Sequence, residues 1–116
     1  MKIKRIHAYK KDLALTKPYT VAYQTYTSAE NAFLEIQLEN GITGIGAAAE
    51  GEFVIGEKME ETISNLKSEN LMNWIGRDIR HFGSLIDESN KIFSEFSATR
   101  AAIDIALHDA FCKYLD

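Results

Sequence analysis

The chain has 116 residues, 46% hydrophobic, 26% charged and 10% aromatic, the balance of one soluble globular domain and too short for a (β/α)8 barrel of roughly 250 residues. A lone cysteine, Cys112, excludes an internal disulfide and makes a reducing, cytoplasmic setting the expectation. The net charge of −4 is uneven: residues 1–58 carry seven basic and seven acidic side chains, residues 59–116 six and ten, and the one basic cluster (Lys2, Lys4, Arg5, Lys10, Lys11, Lys17) has no base-stacking aromatics beside it, so nucleic acid is not an expected partner.

The opening segment, Lys2 to Leu15, reads as a first strand. Its apolar triplet Leu13-Ala14-Leu15 is too short for a signal peptide, and no apolar run is long enough to cross a bilayer, so neither a leader nor a membrane is expected. Pro18 cannot sit inside a central strand, so the reading closes the first strand before it and opens a polar excursion of about a dozen residues, long enough to be functional or disordered. Tyr19, Tyr23, Tyr26 and Gln24 within it suit either a binding rim or a solvated Ω-loop.

Ala32, Leu34, Ile36 and Leu38 then alternate with Phe33, Glu35, Gln37 and Glu39, a strand with one buried face. Asn40-Gly41 predicts a type I′ hairpin into a third strand from Ile42 to Gly46. Gly44 and Gly46 predict a bulge or a close backbone approach. Their GxxGxG order lacks the following helix N-terminus that a phosphate cradle requires. The next loop holds Glu50, Glu52 and Glu57 among Gly51, Phe53, Val54, Ile55 and Gly56, apolar residues that either tuck beneath the loop or cover a neighbouring cavity as lids do.

Past residue 57 the spacing turns helical. Met59, Ile63 and Leu66 mark one helix, Phe82, Ile86, Ser89, Phe93 and Phe96 a second, and Ile103, Ala106/Leu107, Ala110/Phe111 and Tyr114 a third, with a short turn around Leu71-Met72-Asn73-Trp74. Asp78 and Ser97 are the predicted N-caps of the second and third. Three antiparallel strands followed by helices predict an α+β domain with the helices on one face of a small sheet. His108 and Cys112 share a helix face, yet two ligands do not make a metal site, and His7 and His81 have no spacing that recruits them. A buried thiol beside a half-exposed imidazole is the commoner arrangement, and no metal or catalytic residue is expected in this chain.

Three segments together, LTKPY with its following loop and SAEN, then ENGITGIGAAAEGEFVIGEKMEE, then FSATRAAIDIALHDAF, resemble the N-terminal capping domain of the enolase superfamily. Within the superfamily the chain is most similar to the muconate-lactonizing subgroup and its dipeptide epimerases of the Ala-Glu kind. The resemblance spans essentially the whole chain. It implies a cap over the mouth of a C-terminal (β/α)8 barrel, whose lysines act as acid and base at the substrate α-carbon and whose three carboxylates hold a Mg2+. None of those residues lies in this chain, which alone is expected to be inactive. The resemblance places Tyr19, Val21 and Gln24 at the substrate side-chain pocket and Gly51, Val54 and Ile55 in the loop that closes over it.

Two departures stand out. Family members specific for a dipeptide ending in glutamate tend to have arginine where this chain has Gln24, and the loop's usual GEAP-like sequence reads Gly46-Ala47-Ala48-Ala49. A neutral amide contributes about 0.5–1.5 kcal/mol per hydrogen bond against about 1.5–3 for a charged donor, so Gln24 points away from an anionic side chain towards a neutral or apolar dipeptide, with Tyr19 and Val54 in the pocket wall. The cap of a muconate cycloisomerase or an o-succinylbenzoate synthase, and a free-standing binding module, are the alternatives. The helix from Ala98 to Tyr114 is expected to leave an apolar barrel-facing surface through which the chain alone self-associates.

Overall fold

The computed structural model describes residues 1–21, 24–49 and 59–116, and the side chains of residues 1–11, 31–48 and 60–116. Three strands, β1 (Ile3–Val21), β2 (Gln24–Leu38) and β3 (Thr43–Ala49), form an antiparallel sheet in the order β1-β2-β3. Helices α1 (Met59–Leu66), α2 (Glu69–Met72), α3 (Phe82–Ile92) and α4 (Ser97–Leu115) follow, with a 3-10 turn at Ile79–His81 running directly into α3. This is the expected α+β architecture. The one-turn α2 stands where the sequence predicts a short turn.

The alternation of β2 translates into burial: Ala32, Leu34, Ile36 and Leu38 are all fully buried, joined by Ile3, Ile6 and Ala8 of β1 and Ala48 of β3 on one face of the sheet. Leu66, Leu71, Trp74, Ile79, Leu85, Phe93, Ile103 and Leu107 complete the core. Each such side chain removed from water contributes about 1.5–3 kcal/mol, and the sheet and helices have no stable existence without that burial. In α3, Leu85 and Ser89 are buried and Phe82 and Ile86 half-buried, with Phe93 buried just past the helix, so the predicted face turns inwards and Leu85 joins it.

Several expectations are corrected. The excursion between the first two strands is not a loop: the β1–β2 ladder continues to Tyr19↔Tyr26, Thr20↔Thr25 and Val21↔Gln24. The β-branched and aromatic residues that suggested a binding rim are also good strand formers. Pro18 is accommodated because β1 is an edge strand and because the register shifts between Ala14↔Ser28 and Tyr19↔Tyr26, where β1 spends extra residues outside the ladder.

The β2–β3 turn is not type I′. Gly41 has φ +90°, but among the described residues no non-glycine has positive φ, so Asn40 does not. Gly41 N–H donates to the Leu38 carbonyl (3.0 Å) and Leu38 N–H to the Ile42 carbonyl (2.8 Å), the pattern of a three-residue turn closed by a glycine bulge. Asn40 works through its side chain instead, accepting Ile42 N–H at Oδ1 (3.1 Å).

Asp78 does cap, accepting Arg80 N–H at the head of the 3-10 turn (3.0 Å). Ser97 does not cap α4. A tight turn from Phe93 to Phe96 (2.9 Å) places the Phe96 carbonyl to accept from Arg100 N–H (3.0 Å), so Phe96 takes the cap position and Ser97 is already helical.

Candidate functional site

The residues expected to meet a substrate divide between two segments. Tyr19, Val21 and Gln24 lie at the far end of the β1–β2 hairpin, where Val21 pairs with Gln24 and Tyr19 with Tyr26. Gly51, Val54 and Ile55, together with Glu50, Glu52 and Glu57, lie outside the described residues. The register nonetheless fixes where the second segment starts. Ala49, the last residue of β3, pairs with Asn31, and Asn31 pairs with Lys11, so the chain leaves β3 at the same end of the sheet towards which the hairpin projects.

The sheet face away from the core carries Arg5, His7 and Tyr9 on β1, Phe33, Glu35 and Gln37 on β2, and Thr43 on β3. The rings of His7 and Tyr9 stack at 5.2 Å between centroids and those of Tyr9 and Phe33 at 5.4 Å. The hydrogen bond of Tyr9 to Glu35 raises the phenol above its ordinary pKa, because losing that proton would leave two anions side by side. Arg5, His7, Glu35, Gln37 and Thr43 line a shallow depression of about 60 Å³ on this face.

Ion pairs brace the helical layer. Arg77 and Glu88 pair through two hydrogen bonds (2.7 and 3.3 Å), which hold the Glu88 carboxyl below its ordinary range. Asp78 lies 2.7 Å from Arg80 and 3.2 Å from the Met1 amino group, and its carboxyl is likewise held far down, chiefly by Arg80. Asp109 accepts the backbone N–H of Ile45 (2.9 Å) and pairs with Lys113 (3.0 Å), and its carboxyl is lowered first by that N–H. Sequence reasoning missed the Asp109–Lys113 pair; its one visible signal is an i, i+4 charge pair on a helix rich in apolar residues.

His108 and Cys112 do not form a site together. His108 Nδ1 lies 2.9 Å from the Asp104 carbonyl and 3.0 Å from its carboxylate, its ring stands edge-on to Phe82 at 5.0 Å, and the Cys112 thiol is exposed rather than buried. Among the described residues no three His, Cys, Asp or Glu side chains converge on a point that would hold a metal, and no helix is long and apolar enough to cross a membrane.

The family profile described as mandelate racemase / muconate lactonizing enzyme, N-terminal domain, matches residues 5–116. The L-Lys-D/L-Arg epimerase of Desulforapulum autotrophicum is 47% identical over 97% of this chain and 32% of its own length. The dipeptide epimerase of Methylococcus capsulatus, solved with Mg and the dipeptide L-Arg-D-Lys, superposes with a TM-score of 0.88 at 35% identity, covering 99% of this chain and 32% of that one. The dipeptide epimerase of Enterococcus faecalis, solved with Mg and L-Leu-L-Tyr, gives 0.84 at 30% identity, again over 99% and 32%. The chain therefore spans about a third of the length of the relatives it matches.

Proposed function

Since the chain belongs to the mandelate racemase / muconate lactonizing enzyme N-terminal domain family, we propose that it is the capping and substrate-specificity domain of a Mg2+-dependent epimerase that removes the α-proton of a dipeptide. The observation that carries the reading is the asymmetry of the match: nearly all of this chain aligns with a dipeptide epimerase, yet with only 32% of it. The described residues do not fit a Mg2+ site, so no chemical step is assigned to them. When bound elsewhere in the intact enzyme, the metal would stabilise the negative charge that develops as the proton leaves.

The role assigned to this chain is selection and enclosure. The hairpin end with Tyr19, Val21 and Gln24, and the segment with Gly51, Val54 and Ile55, wall the substrate side chain and keep water out, which strengthens every electrostatic interaction inside. The partner that completes the site is a C-terminal barrel. Helix α4 supports this, since it turns apolar residues outwards as well as to the core: Ala101, Ile105, Cys112 and Leu115 flank His108 on its outer side, with Ile105 51% and Leu115 66% exposed. Left uncovered, that stripe drives self-association of the chain alone, and sedimentation showing a monomer at every concentration would contradict this.

The substrate assigned is a dipeptide without an acidic side chain. A cationic dipeptide is favoured by the 47% identity to the L-Lys-D/L-Arg epimerase, with Glu50, Glu52 and Glu57 as available counter-charges. An apolar dipeptide is the second reading, favoured by the neutral amide of Gln24. Comparing kcat/KM of the intact enzyme on dipeptides ending in lysine, leucine and glutamate decides between them, and a preference for glutamate refutes both.

A further inference from the structure

The two edges of the sheet are defended differently. β1 carries Lys4, Arg5, Lys10, Lys11 and the N–H-less Pro18, the devices by which edge strands discourage an added strand. β3, the opposite edge, reads Thr-Gly-Ile-Gly-Ala-Ala-Ala, with no charge and no proline. Its own sequence leaves it open.

The ladder fixes which backbone groups face outwards. Because the Ile42 carbonyl accepts from Leu38 on β2, residues 44 and 46 turn their N–H and C=O towards β2, and residues 43, 45 and 47 turn theirs to the side away from it. Two of these outward groups are taken by side chains of α4. Ile45 N–H donates to Asp109 Oδ2 at 2.9 Å, Lys113 Nζ donates to the Thr43 carbonyl at 2.9 Å, and the two side chains pair at 3.0 Å across one helical turn. The reach is short because α4 lies directly on β3: a Cβ on Gly44 would meet Ala110 Cβ at 2.6 Å, and one on Gly46 would meet Ala106 N at 2.8 Å.

We propose that Asp109 and Lys113 guard the β3 edge: by occupying the Ile45 N–H and the Thr43 carbonyl they deny those groups to the β3 of a second copy of this chain and hold the sheet at three strands. A second copy is the fitting occupant, because antiparallel β3–β3 pairing about a two-fold axis sets uncharged, mostly small residues against one another, with no charge stranded between the strands. The contacts involved lie within the chain, so the proposal stands independently of the activity assigned above.

Residue-resolved amide hydrogen exchange on the full chain tests it and keeps association through β3 distinct from association through the outer stripe of α4. In the unmodified chain the Ile45 amide is expected to exchange slowly although it points away from β2 on an edge strand. With Asp109→Ala and Lys113→Ala combined, it exchanges at least about tenfold faster in dilute solution, the loss expected of a hydrogen bond to a charged group. Raising the concentration then slows Ile45 and Ala47 together as β3 pairs with its copy. Asp109→Asn, which keeps an acceptor oxygen, leaves Ile45 slow and independent of concentration. Fast exchange at Ile45 in the unmodified chain overturns the proposal without any variant, so a double variant that fails to fold does not shield it. Exchange at β3 that ignores concentration in a folded double variant overturns it equally.

Discussion

Replacing Gly46 by alanine inserts one methyl group where the backbone of α4 already lies. The new Cβ would stand 2.8 Å from Ala106 N, about 0.6 Å inside the ordinary contact limit of 3.4 Å, and closer still to the Ala102 carbonyl oxygen. Both neighbours are helix backbone, so no rotamer change relieves the clash and α4 must back away from β3. That retreat loosens Ala102, Ala106 and Ala110 against the sheet and Ile103 and Leu107 in the core, all fully buried. A gap of 0.5–1 Å forfeits about a quarter to a half of each dispersion contact, and overpacking of this kind costs about 1–3 kcal/mol. With backbone on both sides the upper end is expected, about 3 kcal/mol, or a fall of roughly 12 °C in Tm at about 4 °C per kcal/mol for a chain of this size. Thermal and urea unfolding followed by circular dichroism measure it. Gly83→Ala is the internal control: nothing lies within 4 Å of its Cβ and it sits inside α3, so its stability stays level or rises by up to about 1 kcal/mol. A Gly46→Ala Tm within 2 °C of that control, on the order of 0.5 kcal/mol, would refute the close seating of α4 on β3.

Ser89→Ala is expected to raise stability by up to about 1 kcal/mol, because the Ser89 hydroxyl is buried in α3 without a hydrogen-bond partner and alanine is the better helix former; a lower Tm would mean that the hydroxyl has a partner. Acid weakens the fold in a defined window. Glu88, Asp78 and Asp109 all have folded-state pKa values below their unfolded ones, so the unfolded chain binds more protons, and the stability these groups contribute is whole above about pH 4–5 and is lost as pH falls through their folded values. Urea midpoints measured from pH 7 down to about pH 2 should fall only below that window, and Glu88→Gln should flatten the fall; midpoints level to pH 2 would remove these pairs from the account.

The sequence makes the core of the sheet legible because the period-2 pattern of residues 32–38 is both a backbone signal and a burial signal. It also makes α4 legible, read from Ala98 to Tyr114 and observed from Ser97 to Leu115. Its cap is harder to read, because Phe93, Phe96 and Ser97 offer a turn and a cap at almost the same place, and the turn prevails. The hairpin extension through Pro18 is hidden for a similar reason: threonines and tyrosines serve strands and binding rims alike, and only the edge position of β1 reconciles proline with a ladder. Asn40-Gly41 correctly marks a reversal but not its type, since Asn40 uses its side-chain oxygen in place of a left-handed backbone. As for the site, Tyr19, Val21, Gln24, Gly51, Val54 and Ile55 rest on resemblance alone, because a pocket wall of neutral side chains leaves no periodic trace. The Asp109–Lys113 guard depends on α4 running along β3, a tertiary fact that no local pattern encodes.

A domain that selects the side chain of a dipeptide, as proposed, while the proton chemistry is done elsewhere in the enzyme lets selectivity and proton exchange be changed separately. Incorporation of deuterium at the dipeptide α-carbon in D2O, compared between the intact enzyme and its Gln24→Arg variant on acidic and basic dipeptides, tests it most directly. Exchange is expected to persist while the ratio of kcat/KM values moves towards the acidic dipeptide by about tenfold, the worth of replacing a neutral donor by a charged one. Exchange lost equally on every dipeptide, or a ratio that does not move, would contradict it.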